Sequence, residues 1–206
     1  MRCRCSPCTA SAHRFSTPLL LPFDLQLRAG ECITLNGPSG CGKSMLLRAI
    51  ADLDPHQGEM VLDGCSSKAM EPTEWRRQVA LLPAESAWWG ERVRDHFEPP
   101  GRATFNALQL PADSPDWGVS RLSSGERQRL ALLRLLANHP KVLLLDEPTA
   151  NLDRENTRRV ERLLSEWRQQ HQCSAIWITH DPEQQQRVGN RHYQIKQGCL
   201  ELFTWS

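Results

Sequence analysis

One stretch of the sequence decides the fold, Gly37-Pro38-Ser39-Gly40-Cys41-Gly42-Lys43-Ser44. It matches the pattern G-x-x-x-x-G-K-[ST] at every required position. Glycines let the backbone curl so that successive N–H groups point inward, where they can bind phosphate oxygens. The stretch follows a strand predicted over 31–36 and opens a helix predicted over 43–53, whose N-terminus also favours an anion. We therefore expect a phosphate-binding loop here rather than an incidental turn.

The residue types of this loop predict how a nucleoside triphosphate is held. All eight residues are candidate nucleotide contacts, because the backbone of the whole loop surrounds the phosphates. Lys43 is expected to reach the β- and γ-phosphates with its positive charge, which makes it a candidate catalytic residue. The hydroxyl of Ser44 is expected to be a ligand of Mg²⁺. ATP with Mg²⁺ is therefore the predicted ligand.

The set of nucleotide contacts is expected to end at Ser44. No equivalent of a serine stands at position 45, where the sequence has Met45. We interpret Met45 as one of the apolar positions of the predicted helix, together with Leu46, Leu47 and Ile50.

A second cluster of polar residues ends the apolar run Val142-Leu143-Leu144-Leu145. The run predicts a buried parallel strand over 141–145, and Asp146 and Glu147 follow at its carboxyl end, where open α/β sheets bind ligands. Asp146 is expected to hold the magnesium ion, directly or through water. Glu147 is expected to be the general base for an attacking water. A merely solvated pair is the alternative, and it is weak beside the phosphate loop.

A third segment suggests a family, Leu122-Ser123-Ser124-Gly125-Glu126-Arg127-Gln128. It resembles the signature segment of ABC ATPases, usually Leu-Ser-Gly-Gly-Gln, with differences at Ser124 and Glu126. The phosphate loop, this segment, the Asp-Glu strand, Asn151-Leu152-Asp153 and Ile178-Thr179-His180-Asp181 follow one another in the order found in that family. The resemblance covers about residues 19 to 198. Locally, Ser123 and Glu126 also form a capping box, so a merely capped helix is the alternative.

The resemblance implies a head-to-tail homodimer or pseudo-dimer that encloses two ATP molecules. Each subunit would offer Ser123, Gly125 and Glu126, at the start of the signature helix, to the ATP held by its partner. Asp153 lies in a segment similar to the loop that crosses this interface. His180 resembles the switch histidine that contacts the γ-phosphate, and it is the third candidate catalytic residue beside Lys43 and Glu147.

The chain departs from the family pattern at two places. The family has an aromatic residue near the N-terminus that stacks on adenine, and here only Phe15 is in range, with His13 as a polar substitute. The family also has a glutamine after the strand that we predict over 79–83. Glu85 stands in this region, and we expect it to replace the glutamine as a magnesium ligand; an orientation toward solvent or toward Arg92 is the alternative.

Hydrophobic runs alternate with helical patterns, which predicts an α/β fold with a largely parallel sheet. Together with the resemblance this gives a P-loop NTPase fold: an ABC ATPase domain with a mixed sheet core and a small antiparallel layer near the N-terminus. We expect one domain over 1–206, with a small helical lobe inserted at 85–122. Further predictions are an amphipathic helix over 156–170, a strand over 174–179 and a closing hairpin formed by 191–196 and 200–205.

Composition excludes several classes of protein. The net charge is +1 and no long Lys/Arg run occurs, so we expect no nucleic-acid partner. No apolar run is long enough for a membrane span and no signal peptide is recognisable, so we expect a cytoplasmic protein. Eight cysteines in a protein of that compartment are expected to be free thiols. The cluster Cys3, Cys5 and Cys8 is interpreted as part of a first strand, with a metal site as the alternative.

These observations predict an ATP-hydrolysing subunit that powers a membrane transporter. Its partner would be a transmembrane permease on another chain, which would hold the subunit on the inner face of the plasma membrane. Trp88 and Trp89 are candidate anchors for the permease, with burial inside the lobe as the alternative. A soluble ABC ATPase acting on nucleic acid or ribosomes, a P-loop kinase and a non-catalytic nucleotide-binding regulator are the rival functions.

Overall fold

The fold was analysed in a computed structural model that describes residues 9–97 and 102–205. The cluster Cys3, Cys5 and Cys8 lies outside the described residues. The strands are β1 (Ala10–Thr17), β2 (Leu20–Leu27), β3 (Cys32–Asn36), β4 (Gln57–Leu62), β5 (Cys65–Ser66), β6 (Val79–Leu82), β7 (Val142–Asp146), β8 (Ser174–Ile178), β9 (Arg191–Lys196) and β10 (Cys199–Phe203). The helices are α1 (Lys43–Ile50), α2 (Pro72–Gln78), α3 (Arg102–Ala107), α4 (Ser124–Leu136), α5 (Arg154–His171) and α6 (Pro182–Val188).

Two sheets form the framework. The larger has the strand order β10-β9-β3-β8-β7-β6, in which every pair is parallel except β9 with β10. The smaller is antiparallel, with the order β2-β1-β4-β5. The predicted mixed core sheet, the antiparallel layer and the closing hairpin are therefore confirmed.

The central strands are apolar because helices or the second sheet cover both of their faces. All five residues of β7 and of β8 are buried. One hydrophobic cluster joins the large sheet to α4 and α5, and a second joins it to α1, α2 and the antiparallel sheet. The predicted apolar face of α5, which consists of Val160, Leu163, Leu164 and Trp167, is buried as expected.

The helix after the phosphate loop is shorter than predicted. It ends at Ile50 rather than at residue 53, because the chain turns at Asp52, whose φ is +56°. A turn there lets Arg48 form a hydrogen-bonded ion pair with Asp54. The other elements predicted above begin and end within two residues of the observed ones.

The segment between β6 and α4 is irregular over most of its described length. It contains α3 and three single 3₁₀ turns, Val93–Asp95, Ser114–Asp116 and Val119–Arg121. Its buried residues Val93, Phe105 and Leu108 belong to the same hydrophobic cluster as α4 and β7. The interpretation of 85–122 as an inserted lobe stays a prediction, and the described part has fewer helical residues than the pattern indicated. Among the described residues, no helix is both long and apolar enough to cross a membrane.

Candidate nucleotide-binding site

The phosphate loop connects β3 to α1 in the conformation that its glycines permit. Gly37 has a φ of +148° and Gly42, the N-cap of α1, a φ of +105°. A Cβ atom on Gly37 would lie 2.9 Å from both the Cys41 Sγ and the Ile195 carbonyl oxygen, so no larger residue fits there. Lys43 is buried, and its Nζ donates to the carbonyl oxygens of Gly37 at 2.8 Å and Pro38 at 3.0 Å. The backbone of the phosphate loop therefore holds the Lys43 ammonium group in place.

The position after Ser44 offers no further ligand. Residue 45 is Met45 and not a serine, so no second hydroxyl follows Ser44 in the first turn of α1. The Met45 side chain is only half-buried, whereas the neighbouring Leu46 is buried as predicted. A thioether is a soft donor that does not suit Mg²⁺. Position 45 therefore does not belong to the candidate site, and Met45 is a weaker core position than the helical pattern indicated.

Asp146 lies beside this loop at the end of β7. Its side chain is hydrogen-bonded to Ser44, and burial raises the pKa of Asp146 above the ordinary value. The charge of Glu147 raises this pKa further, whereas the hydrogen bond with Ser44 and the positive charge of Lys43 lower it. A carboxylate so placed is stabilised by an added cation. The hydroxyl and carboxylate oxygens are the hard donors that Mg²⁺ prefers, so the residues present fit this ion.

Glu147 follows Asp146 in an unusual backbone conformation, with a φ of +48°. Its N–H donates to the carbonyl oxygen of Ile178 at 3.1 Å, which ties the turn after β7 to the end of β8. The His180 Nε2 lies 3.1 Å from the Glu147 Oε1. The His180 side chain is 50% exposed and that of Glu147 is 34% exposed, so both side chains are in contact with solvent.

The sheet explains why these residues meet. In the parallel registers Leu35 lies opposite Ile178, and Ile178 lies opposite Asp146, so β3, β8 and β7 end at one level. The phosphate loop, His180 and the two carboxylates follow these three neighbouring strands. Sequence reasoning placed them at one sheet edge, and the structure brings them together there. Their roles in binding and catalysis stay predictions.

The signature segment begins α4 with the predicted capping box. The backbone N–H of Glu126 donates to the Ser123 Oγ at 3.2 Å, and the Ser123 N–H donates to a Glu126 carboxylate oxygen at 2.9 Å. This backbone hydrogen bond and a second one from the Ser123 hydroxyl lower the pKa of Glu126. Ser123 is exposed. A Cβ atom on Gly125 would lie 3.3 Å from the Asn151 carbonyl oxygen, so the helix start packs closely on the segment after β7.

Asp153 has a structural role within this chain. It is the N-cap of α5, where its carboxylate accepts hydrogen bonds from the backbone N–H and the side-chain amide of Asn156 at 2.8 and 2.7 Å. The backbone bond is the main reason why the pKa of Asp153 is lowered. Its expected contact across a dimer interface is not tested by a single chain.

Among the described residues, no hydrogen bond or ion pair joins Glu85 to a predicted magnesium ligand. Glu85 is exposed, and it lines a pocket together with Ser124, Gln128 and Asn151 rather than with Ser44 or Asp146. Among the described residues it forms no ion pair, neither with Arg92 nor with another residue. The ligand role of Glu85 stays a prediction that requires the loop to move.

Phe15, the aromatic residue in range of the adenine-stacking position, is not available for stacking. Its ring is fully buried, because this position of β1 faces the core, and it stacks instead on His56 with a centroid distance of 5.1 Å. His13 is exposed on the outer face of β1, where it lies 3.8 Å from Asp24. Leu19, in the turn between β1 and β2, is the exposed apolar residue beside the phosphate loop: its Cβ is 3.2 Å from the position of a Cβ on Gly42.

Two groups of site residues were missed by the sequence reasoning. Gln128, quoted only as the last residue of the signature segment, is buried and hydrogen-bonded to the backbone of Glu147. Behind His180, the buried Gln184 of α6 links Thr149 to Glu161, and Arg187 is ion-paired with Glu161. A glutamine in a polar helix gives no sign of burial, so the sequence offered no usable signal.

Comparisons with known proteins agree with this geometry. A family model described as "ABC transporter" matches residues 20–150. The "Probable iron export ATP-binding protein FetA" of Escherichia coli (strain K12) is 33% identical over 179 residues, which are 81% of this chain and 80% of that protein. The "Aliphatic sulfonates import ATP-binding protein SsuB" of Burkholderia pseudomallei (strain K96243) is 33% identical over 189 residues, 88% of this chain and 56% of that protein.

A solved structure gives the same fold. The "Structure of a bacterial Atm1-family ABC exporter with ATP bound" superimposes with a TM-score of 0.80 at 20% identity, over 94% of this chain and 38% of that one. The chain thus spans most of FetA but only about half of SsuB. The chain belongs to the ABC transporter family. Within that family it corresponds to the ATP-binding subunits.

Proposed function

We propose that the chain hydrolyses ATP and thereby powers a membrane transporter whose permease is a separate chain. The observation that carries the proposal is the convergence of Lys43, Asp146, Glu147 and His180 at one sheet edge, with Glu147 and His180 only 3.1 Å apart. A regulator that merely binds nucleotide has no need of a paired base and histidine at the opening of its phosphate loop.

The chemistry follows from the positions of these side chains. Glu147 accepts a proton from the water that attacks the γ-phosphate, and His180 orients the Glu147 carboxylate and contacts the transferred phosphoryl group. Lys43 leaves the Gly37 and Pro38 carbonyls to pair with the phosphate oxygens. Mg²⁺, held by Ser44 and Asp146, would supply positive charge at the β- and γ-phosphates.

The same proposal includes a homodimer with ATP between the subunits. Ser123 and Ser124 are exposed at the N-terminus of α4, where the positive end of the helix and the Ser124 hydroxyl suit a γ-phosphate. The Ser123 hydroxyl is hydrogen-bonded to Glu126 in the capping box and would have to exchange this partner for the phosphate. The support within this chain is that the first turn of α4 is capped and exposed to solvent. A site that binds the γ-phosphate of ATP held by a partner subunit needs both properties.

The permease is proposed to bind beside Trp89. The two tryptophans differ: Trp88 is half-buried against the core, whereas Trp89 is 72% exposed. The guanidinium of Arg134 lies over both rings, 4.6 Å and 5.1 Å from their centroids, and donates to the Ala87 carbonyl oxygen. A rigidly held, exposed indole beside a groove between β6 and α4 is a suitable anchor. This contact would hold the subunit at the inner face of the membrane.

The first experiment tests hydrolysis. Purified chain should release phosphate from ATP with Mg²⁺ and lose this activity in EDTA. The variant Lys43→Ala should retain less than a tenth of the activity, because it removes a charge worth several kcal/mol at comparable sites. Equal circular dichroism spectra control for folding. Activity above a tenth in this variant would contradict the assignment.

The second experiment tests docking. The neighbouring reading frames are first searched for one that encodes a multi-helix membrane protein. The chain is then co-expressed with that candidate permease and purified in detergent through it. Trp89→Ala should lose co-purification and keep its basal ATPase activity within about twofold. Trp205→Ala, which also changes a partly exposed tryptophan, is the matched control. Undiminished co-purification of Trp89→Ala would show that the permease binds elsewhere.

A further inference from the structure

Gln128 connects the start of α4 with the segment that carries Glu147. Its Nε2 donates to the Glu147 carbonyl oxygen at 2.8 Å, and its Oε1 accepts a hydrogen bond from the Asn151 N–H at 3.3 Å. The side chain is 7% exposed. The nitrogen and the oxygen of this buried amide are thus both hydrogen-bonded to the backbone turn from Glu147 to Asn151. Losing either bond would leave a buried polar group unsatisfied.

The turn needs such support because Glu147 has a left-handed backbone conformation. A φ of +48° is unfavourable for a residue with a Cβ, and it persists only where the surroundings impose it. The Glu147 N–H is held by Ile178 of β8, and its carbonyl oxygen is held by Gln128 and by the Ala150 N–H. Of these partners, only Gln128 belongs to α4.

The contact between the two segments is also tight. The place of a Cβ on Gly125 is 3.3 Å from both the Asn151 carbonyl oxygen and the Leu152 Cδ2. One turn further along α4, the Arg129 guanidinium donates to the Asn156 side chain at 2.7 Å. The first two turns of α4 and the chain from 147 to 156 therefore form one packed unit.

We propose that Gln128 is a positioning residue for Glu147: it fixes the backbone of the catalytic base to the first turns of α4. The inference rests on the proposed role of Glu147 in hydrolysis. Its consequence is that a displacement of the exposed N-terminus of α4 is transmitted to the Glu147 backbone through the Gln128 side chain, in addition to the packing at Gly125 and the Arg129 hydrogen bond.

The test separates hydrolysis from nucleotide binding. Gln128→Met keeps the length of the side chain and removes both hydrogen bonds. Gln128→Glu keeps the acceptor for Asn151 but places a carboxylate oxygen against the Glu147 carbonyl. In both variants kcat should fall at least tenfold, while KM and the Kd for MgATP stay within about threefold. Gln170→Met, the same change at an exposed glutamine of α5, should match the wild type.

A double-mutant comparison of residual hydrolysis rates distinguishes a positioning role of Gln128 from a merely structural one. Glu147→Gln removes the base, so adding Gln128→Met should cause no further loss of the residual rate. The proposal is overturned by a kcat within twofold of wild type, by a parallel loss of MgATP affinity, by additive losses in the double variant, or by collapsed melting temperatures in both Gln128 variants. A wild-type chain that binds MgATP without hydrolysing it would instead refute the proposed function, and this inference with it.

Discussion

His180 and Glu147 lie on neighbouring strand ends with 3.1 Å between Nε2 and Oε1, although 33 positions separate them in the sequence. The contact joins the ends of β7 and β8. It gives the Glu147 carboxylate one side-chain partner and leaves the side chain 34% exposed.

The pair predicts the behaviour of Glu147→Gln. The amide has the shape of the carboxylate but cannot accept the proton, so turnover should fall by about a hundredfold or more. ATP should still bind, and the dimer should accumulate. Phosphate release and gel filtration with saturating ATP measure both effects. An elution volume unchanged by ATP would argue against the ATP-enclosing dimer.

Glu85 makes a prediction about magnesium. A carboxylate about 4 Å from a phosphate oxygen costs on the order of 4 kcal/mol at an effective dielectric constant of about 20, so it can approach only with the metal between them. Glu85→Ala should raise the Mg²⁺ concentration for half-maximal ATPase activity, and Glu85→Gln should keep most of the activity. A magnesium titration of Glu85→Ala that superimposes on the wild type would eliminate the ligand role.

Leu19 predicts how the base is bound. Because Phe15 is buried, an adenine beside the phosphate loop would rest on the exposed Leu19 side chain. Leu19→Ala should weaken MgATP binding about fivefold to tenfold, which corresponds to about 1 kcal/mol of lost apolar contact. The affinity for tripolyphosphate, which has no base, should not change. Leu21→Ala is the control, since Leu21 is exposed in β2, two residues further along the chain; equal effects of both variants would reject the specific contact.

The ion pair of Glu31 and Arg191 predicts a pH dependence of stability. Burial alone would raise the pKa of Glu31, but hydrogen bonds from the Arg191 guanidinium and the Arg28 N–H outweigh it and hold the pKa below 4.5. The stabilisation is therefore present above pH 4.5 and is lost as the pH falls through the lower, folded-state pKa.

Glu31→Gln imitates the protonated side chain. At pH 7 it should lower the free energy of unfolding by about 2 kcal/mol. The difference from wild type should shrink as urea titrations are repeated from about pH 5 toward about pH 3. A difference that is constant over this range would mean that packing, rather than charge, determines the effect.

Cys41 predicts that a thiol reagent inactivates the enzyme. Its Sγ packs against Gly37 inside the phosphate loop, and the residue is partly exposed. Burial, in contrast, raises the pKa of Cys32 and of Cys173 to about 11, so these thiols should stay unmodified. Maleimide should inactivate the ATPase, and MgATP should protect it. If Cys41→Ala is inactivated at the same rate as wild type, a different cysteine is responsible.

The sequence could predict elements whose determinants are local. The glycines of the phosphate loop and the unbroken apolar run of β7 require their conformations in any context, so these elements were placed correctly. The environment of Phe15 was not predictable in this way, because the face of β1 that meets the core depends on how the two sheets pack. The burial of Gln128 was equally hidden, since its partners lie about twenty residues away and are backbone atoms.

The left-handed backbone of Glu147 has an evolutionary consequence. A glutamate in this conformation costs about 1 kcal/mol, and asparagine or glycine would relieve it. In a gene copy released from selection for hydrolysis, drift toward asparagine at this position would yield a more durable protein that still holds ATP. On the proposed role of Glu147, selection for hydrolysis keeps a residue that lowers stability at this position, and its replacement in a descendant would mark the loss of hydrolysis.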